Sequence, residues 1–197
     1  MTETSLAEAL GGRSFRFFSR LESTNSTAVE WVKNEAPPSG SLVVADEQTA
    51  GRGRFNRRWI SPAGASIAMS LILQCDDPRY LAPAAGLAVV DAISPRVTAD
   101  VKLKWPNDVE IDGKKLAGIL IEAVSSTARP PVYIVGIGIN VAPSPSVDLG
   151  RAVTSLCEHG FPVSGPDQRE QLVAEIAMRV ENRLTDPEIF SHWKDLL

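Results

Sequence analysis

Gly51-Arg52-Gly53-Arg54-Phe55-Asn56-Arg57-Arg58-Trp59 is the stretch on which the reading of this 197-residue chain turns. Four arginines and two glycines fall between two segments, 41–46 and 66–73, that read as buried strands. Glycine lets backbone N–H groups come close to a ligand, and the guanidinium fork never loses its charge. A flexible connection with so many fixed cations is built to close over something anionic. The cluster is local, because the chain as a whole carries a net charge of −4. That balance gives no broad basic face of the kind general nucleic-acid binding needs.

Upstream of the loop, Phe15–Phe18 reads as a short strand, and Ser23-Thr24-Asn25 caps a helix that ends near Pro37-Pro38. Downstream, Leu81–Ile93 reads as a core helix with Pro83 in its first turn, and Val101–Lys104 as a strand running into Trp105-Pro106-Asn107-Asp108. Asp112-Gly113, flanked by Val109-Glu110-Ile111 and by the strand from Lys115 onward, has the residues of a type I′ hairpin turn, and Leu116–Val124 is apolar and in part β-branched. A further strand covers 132–141, and 144–165 is rich in Pro, Ser and Gly, a loop with one short helix. Leu172, Val173, Ile176, Val180 and Leu184 form a helical stripe within 167–184, and Asp186-Pro187 opens a last short helix. This order predicts one α+β domain spanning 1–197, with its core at about 15–193. Its central sheet would be mixed or mostly antiparallel, with helices on one side.

Composition narrows the class. Apolar residues make up 44% and charged residues 22%, ordinary values for a soluble globular protein. No apolar run approaches the ~20 residues of a membrane span, and the acidic N-terminus is not a signal peptide. Cys75 and Cys157 are too few for a disulfide framework and read as reduced thiols. A cytoplasmic location with no membrane partner is the expectation. His159 and His192 read as surface residues, far from any Ser or Cys motif, so a Ser-His-Asp triad or a zinc site is not expected. Phe190 and Trp193 read as helix packing.

Three further clusters bear on chemistry. Asn107 both donates and accepts, and Asp108 can accept or bind a hard cation such as Mg²⁺; an ordinary capped turn is the alternative there. Lys115 sits just inside an apolar strand and needs a buried partner, because a lone buried ammonium is too costly. Simple alternation puts it on the face of Ala117 and Ile119. Gly136-Ile137-Gly138-Ile139-Asn140 places two glycines in a strand, a mark of close approach by a ligand or another backbone. It is not a dinucleotide fingerprint, since the third glycine is missing.

Taken in order, Ser23-Thr24-Asn25, Gln48, the Gly51 to Trp59 loop, Lys104 to Asp108, Lys115 to Leu120 and Gly136 to Asn140 resemble the catalytic domain of biotin–protein ligases. The resemblance implies a fold of the class II aminoacyl-tRNA synthetase/biotin synthetase type. It also implies a two-step reaction with ATP, Mg²⁺ and biotin. A biotinyl-adenylate forms first, and biotin then passes to a lysine of the biotin carboxyl carrier domain of a carboxylase. It implies catalytic roles for Lys115 and Arg54. Ser23, Thr24, Asn25, Gln48, Arg52, Gly53, Arg54 and Lys115 would hold biotin. Arg54, Arg57, Trp59, Asn107 and Lys115 would hold ATP, and Asp108 would meet the metal.

Three departures accompany the resemblance. Asn56 replaces a loop glycine. No winged-helix domain fits before Phe15, so no DNA-binding role is expected. The small β-barrel domain that often follows is not seen after Leu197. Pairing across a homodimer through 132–141 as an edge strand is a further expectation. The rival readings are a lipoate–protein ligase, which would lack the Trp-Pro-Asn-Asp segment, and a non-catalytic nucleic-acid-binding module.

Overall fold

The computed structural model describes residues 1–125, 128, 130–143, 152–162 and 168–197, with Asn56 described by its backbone. Strand β1 (Phe15–Phe18), helix α2 (Thr24–Glu35) and strand β2 (Leu42–Ala45) follow a short N-terminal helix, α1 (Glu3–Leu10). The arginine-rich stretch forms a hairpin of its own, β3 (Gln48–Arg52) and β4 (Arg58–Ser61). Then come β5 (Ser66–Gln74), α3 (Leu81–Ile93), β6 (Val101–Lys104), β7 (Asp108–Ile111), β8 (Lys114–Ala123), β9 (Val132–Asn140), α4 (Gln168–Arg183) and α5 (Ile189–Asp195). Seven strands make one sheet in the order β1-β2-β5-β9-β8-β7-β6. Only β1 and β2 run parallel; every other pair is antiparallel.

Period-two alternation gives the central strands two different faces. Ile67, Met69 and Leu71 of β5, Ile137 and Ile139 of β9 and Ala117 and Ile119 of β8 point into a core shared with α1, α3 and α4. Each fully buried Leu, Ile or Met contributes about 1.5–3 kcal/mol. The intervening residues are small or polar on these strands: Ser70, Gly136, Gly138 and Gly118. At the far end of that second face Val43, Ile72 and Ile134 bury Ala28 and Trp31 of α2. The helices therefore cover both faces, not one as expected. The helical pattern of α2 gave its own apolar side but not which face of the sheet would receive it.

Other expectations also change. Strand β9 pairs with β5 on one side and β8 on the other, so it is central and cannot serve as a dimer edge. The sheet ends at β1 and β6. On β6, Lys102 and Lys104 are exposed, and the Leu103 N–H donates to the Leu196 carbonyl at 2.9 Å. Lysines and a covering backbone both blunt such an edge. Helix α1, which lies before the expected start of the core, carries Leu6 and Leu10, four residues apart, into it, so the core begins ahead of residue 15. It begins at a Thr2 cap and ends at Gly11 in the left-handed region, both readable signals. The Asp112-Gly113 turn has φ of 51° and 72°, as a type I′ turn requires. No helix among the described residues is long and apolar enough to cross a membrane.

Ile137 is 2% exposed at the centre of the core. Ile137→Ala should cost about 2–5 kcal/mol in urea unfolding, while an alanine at half-buried Ile121 should cost clearly less.

Candidate active site

A cavity of about 1000 Å³ opens on the small-residue face of the sheet, roofed in part by the β3–β4 hairpin. All twelve residues expected at the site line it: Ser23, Thr24, Asn25, Gln48, Arg52, Gly53, Arg54, Arg57, Trp59, Asn107, Asp108 and Lys115. The floor is nearly bare backbone. A Cβ on Gly136 would overlap the Asn25 amide, and one on Gly138 would overlap the Trp59 indole. The two glycines of β9 thus mark close approach, as their place in a strand suggests.

One end of the cavity is polar and neutral. Ser23 takes the N-cap position of α2 without a capping side-chain bond, and Thr24 and Asn25 are buried in its first turn. Gln48 Oε1 accepts from the Thr24 N–H at 2.8 Å and from its hydroxyl at 3.0 Å. Ser70 Oγ lies 2.8 Å from Thr24 Oγ1 and donates to Asn25 Oδ1 at 2.6 Å. These side chains fix one another's orientation, so the donors and acceptors of this end are set in advance.

The other end is charged. The hairpin turns tightly, with the Gly53 N–H donating to the Arg57 carbonyl at 2.7 Å. Its tip holds Phe55 in the left-handed region at φ 57° with 81% of its surface exposed. The positive-φ residue is therefore Phe55; the expected glycine substitute, Asn56, follows it. Arg54 Nη1 donates to Asn107 Oδ1 at 3.2 Å, and Asn107 Nδ2 donates to the Ile119 carbonyl at 2.8 Å. The Trp105–Pro106 bond that leads into Asn107 is cis, and Trp105 stands 68% exposed at the cavity rim.

Lys115 lies between these ends. Its ammonium is 2.5 Å from Asp108 Oδ1 and 5.4 Å from the centre of the Trp59 ring. Both side chains of the ion pair are mostly buried, at 18% and 11% exposure. Alternation placed Lys115 on the face of Ala117 and Ile119, and that expectation fails. Val109 pairs with Ala117 while Glu110 pairs with Lys115, so Leu116 is an extra residue, a β-bulge. The bulge sends Leu116 into the core and turns Lys115 onto the face of Gly118. Asp108 serves here as the partner of Lys115. Among the described residues no three His, Cys, Asp or Glu side chains gather as a metal cage.

Some site residues were not foreseen. Ser70 and Glu122 stand behind the lining. Thr154, Ser155 and Glu158 close the cavity beside Lys115, where the Thr154 N–H donates to the Lys115 carbonyl at 2.9 Å. Ser155-x-x-Glu158 is a capping box, a pattern visible in the sequence. The Ser155 hydroxyl, at 2.6 Å, is the largest cause holding the Glu158 carboxyl below its usual range; partial burial opposes it, and the Ser155 amide and Thr154 add to it. His159 is tied to Thr154 Oγ1 at 2.9 Å, which fits a structural role.

A mostly antiparallel sheet, covered by helices on one face and on the other shared between α2 and a cation-lined cavity, is of the class II aminoacyl-tRNA synthetase/biotin synthetase type. The chain belongs to the biotin/lipoate A/B protein ligase family, whose profile matches residues 17–140. It is 47% identical over 130 residues to the bifunctional ligase/repressor BirA of Bacillus subtilis, across 64% of this chain and 40% of that protein. It is 35% identical over 182 residues to the biotin–[acetyl-CoA-carboxylase] ligase of Mycobacterium tuberculosis, across 88% of this chain and 65% of that one. Among solved structures, the Aquifex aeolicus biotin protein ligase in complex with biotin and ATP superposes with a TM-score of 0.70 at 29% identity. That match covers 87% of this chain and 70% of the other. The chain thus spans less than two thirds of the two curated relatives' lengths.

Glu158 supplies a pH test. A carboxyl held below its ordinary 4.5 stabilises the fold above that value and loses the contribution as pH falls through the folded pKa. Ser155→Ala should lower stability at neutral pH by about 0.5–2 kcal/mol. Denaturation across a pH series should show the gap to the parent narrowing below 4.5.

Proposed function

We propose that this chain is the catalytic domain of a biotin–protein ligase. The observation that carries the reading is Lys115, fixed at the junction of a neutral, pre-ordered polar end and an arginine-roofed end of one cavity. The first end suits an uncharged ring system bearing hydrogen-bonding groups, and the second suits phosphates.

The chemistry divides into two displacements. A biotin carboxylate oxygen attacks the α-phosphorus of ATP, the bond to the β-phosphate oxygen breaks, and pyrophosphate leaves. The amine of a lysine on a carrier domain then attacks the acyl carbon, the bond to the phosphate oxygen breaks, and AMP leaves. Phosphoryl-type transfer asks for positioning and charge neutralisation more than covalent catalysis. Lys115 would draw carboxylate and α-phosphate together and stabilise the charge that builds between them. Ser23, Thr24, Asn25 and Gln48 would hydrogen-bond the biotin head group and chain, and Arg52, Gly53 and Arg54 would hold biotin and shield the adenylate from water. Arg57, Trp59 and Asn107 would face the nucleotide. Trp59 Nε1 is buried with no acceptor among the described residues, a donor that a ligand oxygen at this wall would satisfy.

Mg²⁺ fits only as a companion of the nucleotide. Asp108 would be the carboxylate nearest such an ion, with the phosphates of the nucleotide holding the rest of it. When bound, the ion would offset phosphate charge. The names of the relatives support a biotin-dependent carboxylase's carrier domain as the acceptor. A lipoate–protein ligase is the competing assignment within the same family.

Pyrophosphate release with ATP and Mg²⁺ should depend on biotin and not on lipoate; the reverse preference would overturn the assignment. Lys115→Ala should slow release by about 10²–10³, read well below the thermal midpoint, which should itself fall because Asp108 loses its partner. Trypsin cleavage at Arg54 to Arg58 should be fast without ligand and slow with biotin and ATP together. Equal cleavage in both states would remove the lid from the mechanism.

A further inference from the structure

Glu122 lies on the cavity side of β8, on the same face as Gly118 and Leu120, and joins three elements. Its Oε2 accepts from Asn25 Nδ2 of α2 at 2.6 Å. Both of its oxygens stand 3.1 Å from Arg52 Nη2, at the end of β3. The same guanidinium donates through Nη1 to Ser26 Oγ at 2.5 Å. Arg52 pairs with Arg58 across the neck of the hairpin, immediately below the Gly53 to Arg57 turn. A pin at Arg52 therefore decides where the whole cationic tip sits.

The contact with Asn25 matters in a second way. A carboxylate only accepts, so it holds the Asn25 amide with Nδ2 toward Glu122 and Oδ1 toward Ser70. That orientation is the one that lies against Gly136. We propose that Glu122 is a positioning residue: one carboxylate latches the base of the arginine hairpin to the sheet and sets the Asn25 amide at the polar end of the cavity. Its effect on catalysis rests on the ligase reading; the latch itself does not. Arg52 and Glu122 are 39% and 33% exposed. A pair so open to water is weak and screened by salt, which suits the foot of a lid that releases and re-forms.

The test compares Glu122→Gln, Arg52→Gln and the double variant with the parent. In low salt without ligand, trypsin should cut the Glu122→Gln hairpin about fivefold faster than the parent, normalised to a free peptide, and the parent should approach that rate near 1 M salt. The double variant should be no faster than Arg52→Gln alone, because that change already removes the contact with Glu122 as well as the one with Ser26. In pyrophosphate release, Glu122→Gln should raise the biotin KM about tenfold while kcat stays within about twofold, a loss of binding order and not of chemistry. A parental cleavage rate, additive effects in the double variant, or unchanged KM would each overturn the proposal. Should Glu122→Gln fail to fold, salt-independent cleavage of the parent would overturn it. A protein with no biotin-dependent release would sink the ligase reading, and the cleavage arm would still decide the latch.

Discussion

Three neighbouring strands, β5, β9 and β8, must seal a hydrocarbon core on one face and leave naked backbone on the other. Everything else in the molecule follows from that constraint. Ile137 and Ile139 face the helices, and between them Gly138 lets the Trp59 indole rest on the sheet. Side chains on the second face would fill the cavity. Where glycines and serine leave that face thin over the cavity, the opposite face has to be densely packed, and the layer of α3 and α4 supplies that packing.

The bulge at Leu116 reconciles the two demands where they conflict. Strand β8 has to continue the core with Leu116 and Ala117 and also deliver an ammonium into the cavity one residue earlier. Strict alternation would bury Lys115 among hydrocarbon or push Leu116 into the site. One extra residue removes the conflict, and Asp108, across the ladder from Gly118, receives the charge. An ammonium so enclosed is tolerable only with such a partner. The pairing also keeps its chain extended along the floor, with the Trp59 ring above it.

Much of this could be read from the residues in order. Leu81–Ile93 and Phe15–Phe18 emerged with the bounds expected of them, because apolar patterning and proline signals agreed there. The site was legible because its chemistry is concentrated in short motifs, and the fold brings all of them to one cavity. What escaped depends on three-dimensional pairing. The bulge is invisible in β8 alone, since it is defined by what β7 offers opposite. The central place of β9 follows from its two partners, and the opposite placement of α2 from the face that remained open. Glu122 was overlooked because a glutamate near the end of a strand looks solvated until Arg52 and Asn25 arrive from 70 and 97 residues away.

The hairpin of β3 and β4 forms a sheet of its own, outside the ladder of the other seven strands. Two strands alone are marginal in water. Its free energy of opening is consequently separate from that of the domain, set by a few local contacts and far below the global value. The chain therefore holds two thermodynamic units of unequal depth. The seven-stranded platform is the deeper of the two, and the hairpin resting on it is the shallower.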